Sequence, residues 1–333
     1  MKKVMGMGNA LTDILVTIPN DALLDEFGLP RGSMNLVDAT LQSRIAERTA
    51  ECPMVLSLGG AAGNTIRAMA HLGAEVGFIG KVGADETGDF LEQTLRRLSI
   101  RPHIFRGSAR SGRCVSLVSA DGERTMATYL GAALELAPHE LGETVFEDFD
   151  CLYIEGYLVQ NHDLIRSAVQ MAGRMGLKVA IDLASFNVVA ENLDFLRGLV
   201  VDYVDIVFAN EQEAEAFTGH SDPLRALEAI AALCEIAVVK VGARGAYVRN
   251  GGQAIHIGIP DGVRCIDSTG AGDFYAAGFL TGLCEGLTLR QCGTLGAVVA
   301  ARVIGVVGTT IPEEVWHEIE TDAAAVRAGK YLL

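Results

Sequence analysis

Short apolar runs alternate with longer stretches of helical spacing over most of the chain. Val4–Gly8, Val76–Val82, 151–155, 178–182, 204–208 and 236–241 are compact and apolar, with glycine or polar residues close by. Runs of that kind are read as strands buried on both faces. Between them, apolar residues return at helical intervals in Leu41–Thr49, in the segment carrying Ile66, Met69, Ala70 and Leu72, and in Asp85–Leu98. The same spacing marks 163–176, 210–218, 223–234, 288–304 and 313–328. Strands alternating with helices predict an α/β fold, a doubly wound and mostly parallel sheet with helices on both faces.

One region breaks the alternation. Arg101–Phe105, Cys114–Ser119 and Arg124–Leu130 read as short strands without intervening helices, the last two joined by an Asp121-Gly122 turn. With strands at 14–18 and 34–37 they predict a small β-sheet lid, formed by about 13–38 and 101–130, over a cleft. No repeat, low-complexity tract or linker divides the chain, so residues 1–333 are expected to form one domain carrying that lid.

Composition narrows the setting. Half of the residues are hydrophobic, enough for a large core. The longest uncharged run, Cys52–Ile66, is broken by Pro53 and glycines, which excludes a spanning helix there. The start reads as a first strand, its apolar segment too short for a signal peptide, and a cytoplasmic location is expected. A formal charge of -15 argues against nucleic acid as a partner. The seven cysteines form no CxxC pair and the seven histidines no HExxH, so reduced thiols are expected rather than disulfides or zinc.

The sharpest chemical signal is Asp267-Ser268-Thr269-Gly270-Ala271-Gly272-Asp273, running into an apolar helix. Unpaired amides and the dipole at that helix start suit an anion. Asp273, inside the same first turn, would be misplaced if anion binding were the only task. It makes sense if the carboxylate takes a proton from a hydroxyl that attacks a phosphate. A tight strand-to-helix turn is the plainer account of the same residues. Gly6-Met7-Gly8 hints at a dinucleotide site, but Leu11 stands where GxGxxG needs its third glycine. Asn9 and Asp13 place two polar side chains at the end of an early strand. Gly59-Gly60-Ala61-Ala62-Gly63-Asn64 opens a helix and lets a ligand, or simply the sheet, approach closely. Asn210 and Glu213 have capping-box spacing and also suit the water shell of Mg²⁺. The Walker A pattern GxxxxGK(S/T) is absent.

Taken together these motifs resemble the ribokinase-like (PfkB) family of ATP-dependent sugar and nucleoside kinases, along essentially the whole chain. The 267–273 stretch resembles that family's C-terminal motif, Gly59–Asn64 its N-terminal motif, and Asn210-x-x-Glu213 its NxxE element. Ile66 departs from the small or hydroxyl residue usual in sugar kinases, as it does among adenosine kinases. The resemblance implies Asp273 as base and the Gly270, Ala271 and Gly272 amides as the cradle for the phosphoryl group. Asn210 and Glu213 would position Mg²⁺ through water. Asn9, Asp13, Gly60 and Asn64 would hold acceptor hydroxyls, with Arg124 neutralising phosphate charge. ATP would lie along Lys240, Gly242, Gly245, Thr269, Gly305 and Gly308, and a monovalent cation such as K⁺ is allowed. Gly8–Leu15 looks most like the start of adenosine kinases, and Tyr129, Leu134 and Tyr157 offer apolar faces for a purine. The expected reaction carries the γ-phosphate of ATP to a nucleoside, adenosine at its 5′-hydroxyl first, with ribose or fructose as the alternative acceptor. A silent nucleoside- or nucleotide-binding protein and a Rossmann dehydrogenase are the competing classes. A monomer or homodimer is expected.

Overall fold

The computed structural model describes residues 2–120 and 123–333, so the Asp121-Gly122 turn lies outside the described residues. In chain order the strands are β1 (Lys3–Met7), β2 (Leu11–Thr17), β3 (Met34–Leu36), β4 (Met54–Gly59), β5 (Glu75–Gly83), β6 (Arg101–Gly107) and β7 (Gly112–Val118). They continue as β8 (Arg124–Tyr129), β9 (Cys151–Glu155), β10 (Lys178–Asp182), β11 (Ile206–Asn210), β12 (Ile236–Lys240), β13 (Ala246–Arg249) and β14 (Ile255–Ile257). Among the described residues these form a nine-stranded sheet, β14-β13-β12-β11-β10-β9-β1-β5-β6, and a five-stranded sheet, β3-β8-β7-β2-β4. The large sheet is parallel except where β13 and β14 fold back antiparallel.

Alternation along the strands splits the core into two layers. Val4, Phe78, Tyr153 and Phe208 face the helices Ala61–His71, Glu86–Arg97, Ala271–Cys284, Leu289–Val303 and Glu313–Arg327. Met5, Met7, Ile154 and Val207 face the helices His162–Arg174, Leu193–Tyr203, Glu211–Thr218 and Pro223–Ala231. Each successive side chain crosses to the other layer, as a strand's period of two requires. The small sheet has its own core. Val16, Val115, Leu117 and Ala127 pack against Ile45 and Phe27 of two short helices, Ala39–Arg48 and Ala22–Phe27. The opposite face is left for the cleft, where Leu36, Thr128, Cys114, Asp13 and Ser57 line up in one row across five strands.

Two expectations are corrected. The strand at 101–107 pairs with β5 at the edge of the large sheet, and its place in the small one is taken by Met54–Gly59, which pairs with β2. Helices at Phe186–Glu191 and Leu193–Tyr203 and the strand β14 were not foreseen. Gly6 and Gly8 also find another explanation. A Cβ on Gly6 would stand 2.3 Å from Ile66 Cγ1, and one on Gly8 would stand 2.4 Å from a Glu155 carboxylate oxygen. Both glycines admit neighbouring side chains to the sheet rather than a dinucleotide.

Candidate active site

The large sheet reverses its order beside β1: the chain moves outward through β5 and β6, then returns to β9 and continues the other way to β12. A crevice opens outside the carboxyl ends of the strands at such a switch point, and ligands of open α/β sheets bind there. Asn9 follows β1, and Glu155, Asp182, Asn210 and Lys240 end β9, β10, β11 and β12. Register places Glu155 beside Asp182 and Asn210 beside Lys240.

At the switch point Glu155, 1 % exposed, gathers three donors. The Asn9 amide N–H and Nδ2 donate to its Oε1 at 2.8 and 2.6 Å, and the Ala62 N–H donates to Oε2 at 2.9 Å. Burial pushes its pKa up, while these donors favour the ionised form. The carboxylate thus fixes Asn9 to the first turn of the Ala61–His71 helix. Gly60 enters that turn at φ 79°, where a Cβ would meet the Asn9 carbonyl at 2.4 Å. Gly59 does the same service for Asp13, whose Oδ1 lies 2.1 Å from where a Cβ would stand. The two glycines bring the Asn9 and Asp13 backbone and side chain against the helix start.

Beyond them lies the Ala271–Cys284 helix. Its N-cap, Gly270, adopts φ 76° and supplies no side-chain cap, so the helix start is left uncapped. Asp273 stands in this first turn and accepts a hydrogen bond from Asn64 Nδ2 at 3.0 Å. Thr65 Oγ1 donates to the Asp273 carbonyl at 3.1 Å. Burial pushes the Asp273 carboxyl up to about 8; the nearby Asp182 and Glu155 charges add to this, and Asn64 and Lys240 oppose it. A carboxyl tuned to that range can take up a proton near neutral pH. Gly272 is open because Lys240 Nζ lies 2.9 Å from the position of a Cβ there.

Lys240 is bound to Asp182 Oδ2 at 2.7 Å. Burial works against the ammonium, but the Asp182 and Glu213 carboxylates outweigh it and hold Lys240 above its ordinary pKa. Asp182 is in turn steadied by the Ala184 N–H at 3.1 Å, with Ala184 held at φ 67°. Asn210 and Glu213 form a closed capping box. Asn210 N–H and Nδ2 donate to the two Glu213 oxygens at 2.7 and 2.6 Å, and Glu213 N–H donates back to Asn210 Oδ1 at 2.9 Å. Burial and the neighbouring Asp182 push Glu213 up to about 7. Among the described residues no group of three or more His, Cys, Asp or Glu is placed to grip a metal ion directly.

The small sheet reaches the same crevice. Arg124, on β8, pairs with Asp267 Oδ2 at 2.6 Å and donates to Thr269 Oγ1. Burial disfavours the Asp267 carboxylate, but the Gly308 and Thr269 amides and Arg124 outweigh it and hold its pKa low. Ile266 and Asp267 amides donate to the Ile304 carbonyl, which fastens the Gly305–Gly308 loop to the glycine turn. Asp13, on β2, accepts a long 3.4 Å hydrogen bond from Thr309. Burial pushes it up to about 6, with Arg67 opposing. Tyr157 donates weakly to the Ala184 carbonyl at 3.5 Å, and the Glu155, Asp273, Glu213 and Asp182 charges act on its hydroxyl.

The pfkB family carbohydrate kinase pattern matches residues 32–316. The chain belongs to that family. Over 98 % of its length it superposes on the adenosine kinase from Sinorhizobium meliloti, covering 99 % of that chain, with a TM-score of 0.84 and 35 % identity. A probable sugar kinase from Rhizobium etli CFN 42 is similar at TM-score 0.85 and 32 % identity, covering 99 % of each chain. An adenosine kinase from Schizophyllum commune is 27 % identical over 347 aligned residues, 96 % of this chain and 98 % of its own. The protein is therefore a ribokinase-like kinase acting on a nucleoside or a sugar. Among the described residues no helix is long and apolar enough to cross a membrane.

The crevice gathers Asn9, Asp13, Gly60, Asn64, Tyr157, Asn210, Glu213, Lys240, Asp273 and the glycine turn at one edge of the kinase sheet. Gly245 stands apart, because its missing Cβ would meet the Ile257 carbonyl at 2.0 Å and so serves the β13–β14 approach. Gly242 starts the short turn after Lys240 at φ 56° and meets nothing nearby. Arg124 pairs with Asp267 and donates to Thr269, and its charge also acts on Asp13. Sequence reading missed Glu155, Asp182 and Arg67. Their shared signal is an ionisable residue ending or following an otherwise uncharged apolar or small-residue run.

Proposed function

We propose that this kinase carries the γ-phosphate of ATP to the hydroxymethyl group of a nucleoside, the adenosine 5′-hydroxyl first. The observation that carries the reading is Asp273, a carboxyl inside the first turn of an uncapped helix, bonded to Asn64 on the side where Asn9 and Asp13 lie. The hydroxyl gives its proton to Asp273 as its oxygen attacks the γ-phosphorus, and the bond to the β–γ bridging oxygen breaks to release ADP. The Gly270–Gly272 backbone and the Lys240 ammonium meet the charge on the moving phosphoryl group. Asn9, Asp13, Gly60 and Asn64 hold the acceptor hydroxyls. Asn210 and Glu213 would hold Mg²⁺ through its waters, and Mg²⁺ when bound neutralises phosphate charge. Thr269, Gly305 and Gly308 would border the ATP site, with the small sheet closing over it as a lid.

A nucleoside is favoured over a free sugar by the apolar side chains left open on the cleft. Leu36 is 62 % exposed and Met34 51 %, both on the small-sheet face that carries Asp13. A purine would cover such surface, whereas a sugar would leave it wet. The similarity to adenosine kinases points the same way. ADP release measured over a panel of nucleosides and sugars tests the acceptor. Adenosine is expected to give the highest kcat/KM, and ribose or fructose well above it would replace the acceptor while keeping the kinase.

A further inference from the structure

We infer that Arg67 is a positioning residue that fixes the orientation of the Asn64 amide and thereby holds Asp273 in place as the base, a role that rests on the phosphotransfer reading above. Arg67 is 7 % exposed, on the Ala61–His71 helix one turn past Asn64. Its Nη1 donates to the Leu58 carbonyl at 2.8 Å, and its Nη2 donates to Asn64 Oδ1 at 3.1 Å and to the Thr309 carbonyl at 2.5 Å. A guanidinium has donors only. The side of Asn64 turned toward it must therefore be the carbonyl oxygen, which leaves Nδ2 to donate to Asp273 Oδ2 at 3.0 Å. The flipped amide would set NH₂ against guanidinium and a carbonyl oxygen against a carboxylate, so Arg67 removes that alternative.

The same side chain joins three segments: the end of β4 in the small sheet, the helix carrying Asn64, and the loop whose Thr309 touches Asp13. Two acids of the cleft, Asp13 and Asp273, interact with its charge and partly offset the burial that lowers Arg67 to about 10. The other groups facing Asp273 are Asp182 from β10, Lys240 from β12, and Glu155 from β9. Tyr153, also on β9, reaches it through Thr65. The plainer account, an arginine kept only to satisfy the Leu58 and Thr309 carbonyls, makes no demand on Asp273 and can be separated from this one.

The test is Arg67→Met and Arg67→Lys, read three ways. Carbon-13 NMR follows the Asp273 carboxyl, assigned by its absence in Asp273→Asn, and thermal melting confirms the fold. The third readout is the pH profile of kcat/KM with adenosine. Arg67→Met is expected to raise the Asp273 titration by about one unit or more. The acid limb of the profile should move up with it, and kcat should fall about 10²-fold. Arg67→Lys keeps a charge without the fork, so it should restore most of the titration but not kcat. An unmoved Asp273 titration in folded Arg67→Met overturns the inference. If Arg67→Met fails to fold, Arg67→Lys decides: lowered kcat with a near-normal titration supports the role, and wild-type values for both overturn it. Wild-type protein that releases no ADP with any acceptor would remove the proposed function, yet the NMR titration would still decide Arg67.

Discussion

Two helices begin at the same edge of the large sheet and treat their first amides in opposite ways. The Glu211–Thr218 helix closes its own start, with Asn210 and Glu213 satisfying one another completely. The Ala271–Cys284 helix enters through Gly270 in the left-handed region, takes no side-chain cap, and places Asp273 and the Lys240 ammonium beside the gap. A capped start stabilises its helix and has little left to offer a ligand. An uncapped one gives up that stability and, apart from the Ala271 N–H that donates to the Ser268 carbonyl at 3.2 Å, offers its first-turn amides to an anion. On the proposed function, the difference separates the end that serves mainly the fold from the end that serves the chemistry.

The largest effect should come from the carboxylate at the open end. Asp273→Asn removes the base and is expected to cut turnover about 10³-fold or more, while ATP binding by calorimetry stays near normal. Near-normal turnover would remove Asp273 from the chemistry. Gly272→Ala comes next. Its methyl would stand 2.9 Å from Lys240 Nζ, so kcat is expected to drop about 10²-fold. Helix propensity favours the alanine, so melting temperature should not fall. A variant that lost stability instead of rate would make this turn an ordinary helix start.

At the closed end the balance reverses. Asn210→Ala should cost about 1–2 kcal/mol in chemical denaturation by removing the cap. If Asn210 and Glu213 also steady the water shell of Mg²⁺, the Mg²⁺ needed for half-maximal rate should rise roughly tenfold. An unchanged Mg²⁺ requirement would confine this pair to the fold.

The remaining effect is on stability against pH. The Asp273 carboxyl is raised from 3.8 to about 8. The stability it lends is fully present below the unfolded value and is lost as pH rises through the folded one. Asp273→Asn should therefore melt above wild type at pH 9, with the gap shrinking toward pH 5. The catalytic consequence has its own sign: the base must be unprotonated, so kcat/KM of the free enzyme should climb as pH rises through about 8. A flat profile across that range would show that another group sets it.

Much of this was legible in the chain. The glycine turn could be read because Gly-Ala-Gly beside an acid is a local arrangement, complete within one turn. Asn64 and Asn210 were likewise marked by the glycines and the Glu213 spacing around them. The placement of β6 was not legible, since 101–107 has the same short-strand pattern whichever sheet it joins and only its pairing with β5 decides. Glu155 and Asp182 looked like ordinary strand ends until register set them side by side. Arg67 drew no reading from the sequence, because one of the groups that satisfies it in the interior, the Thr309 carbonyl, is distant in sequence and joins Leu58 and Asn64 only in the folded chain. The helices at 186–203 meet at Asn192 without the glycine or proline that would have announced them.

The most direct test of the open helix end is to incubate the protein with Mg-ATP and adenosine and identify the phosphorylated product by phosphorus-31 NMR, with Asp273→Asn in parallel. The expected result is ADP together with a phosphate ester on the 5′-oxygen, formed by wild type and lost in the variant. A product made equally well by Asp273→Asn, or no ADP from wild type with any nucleoside or sugar, would contradict it.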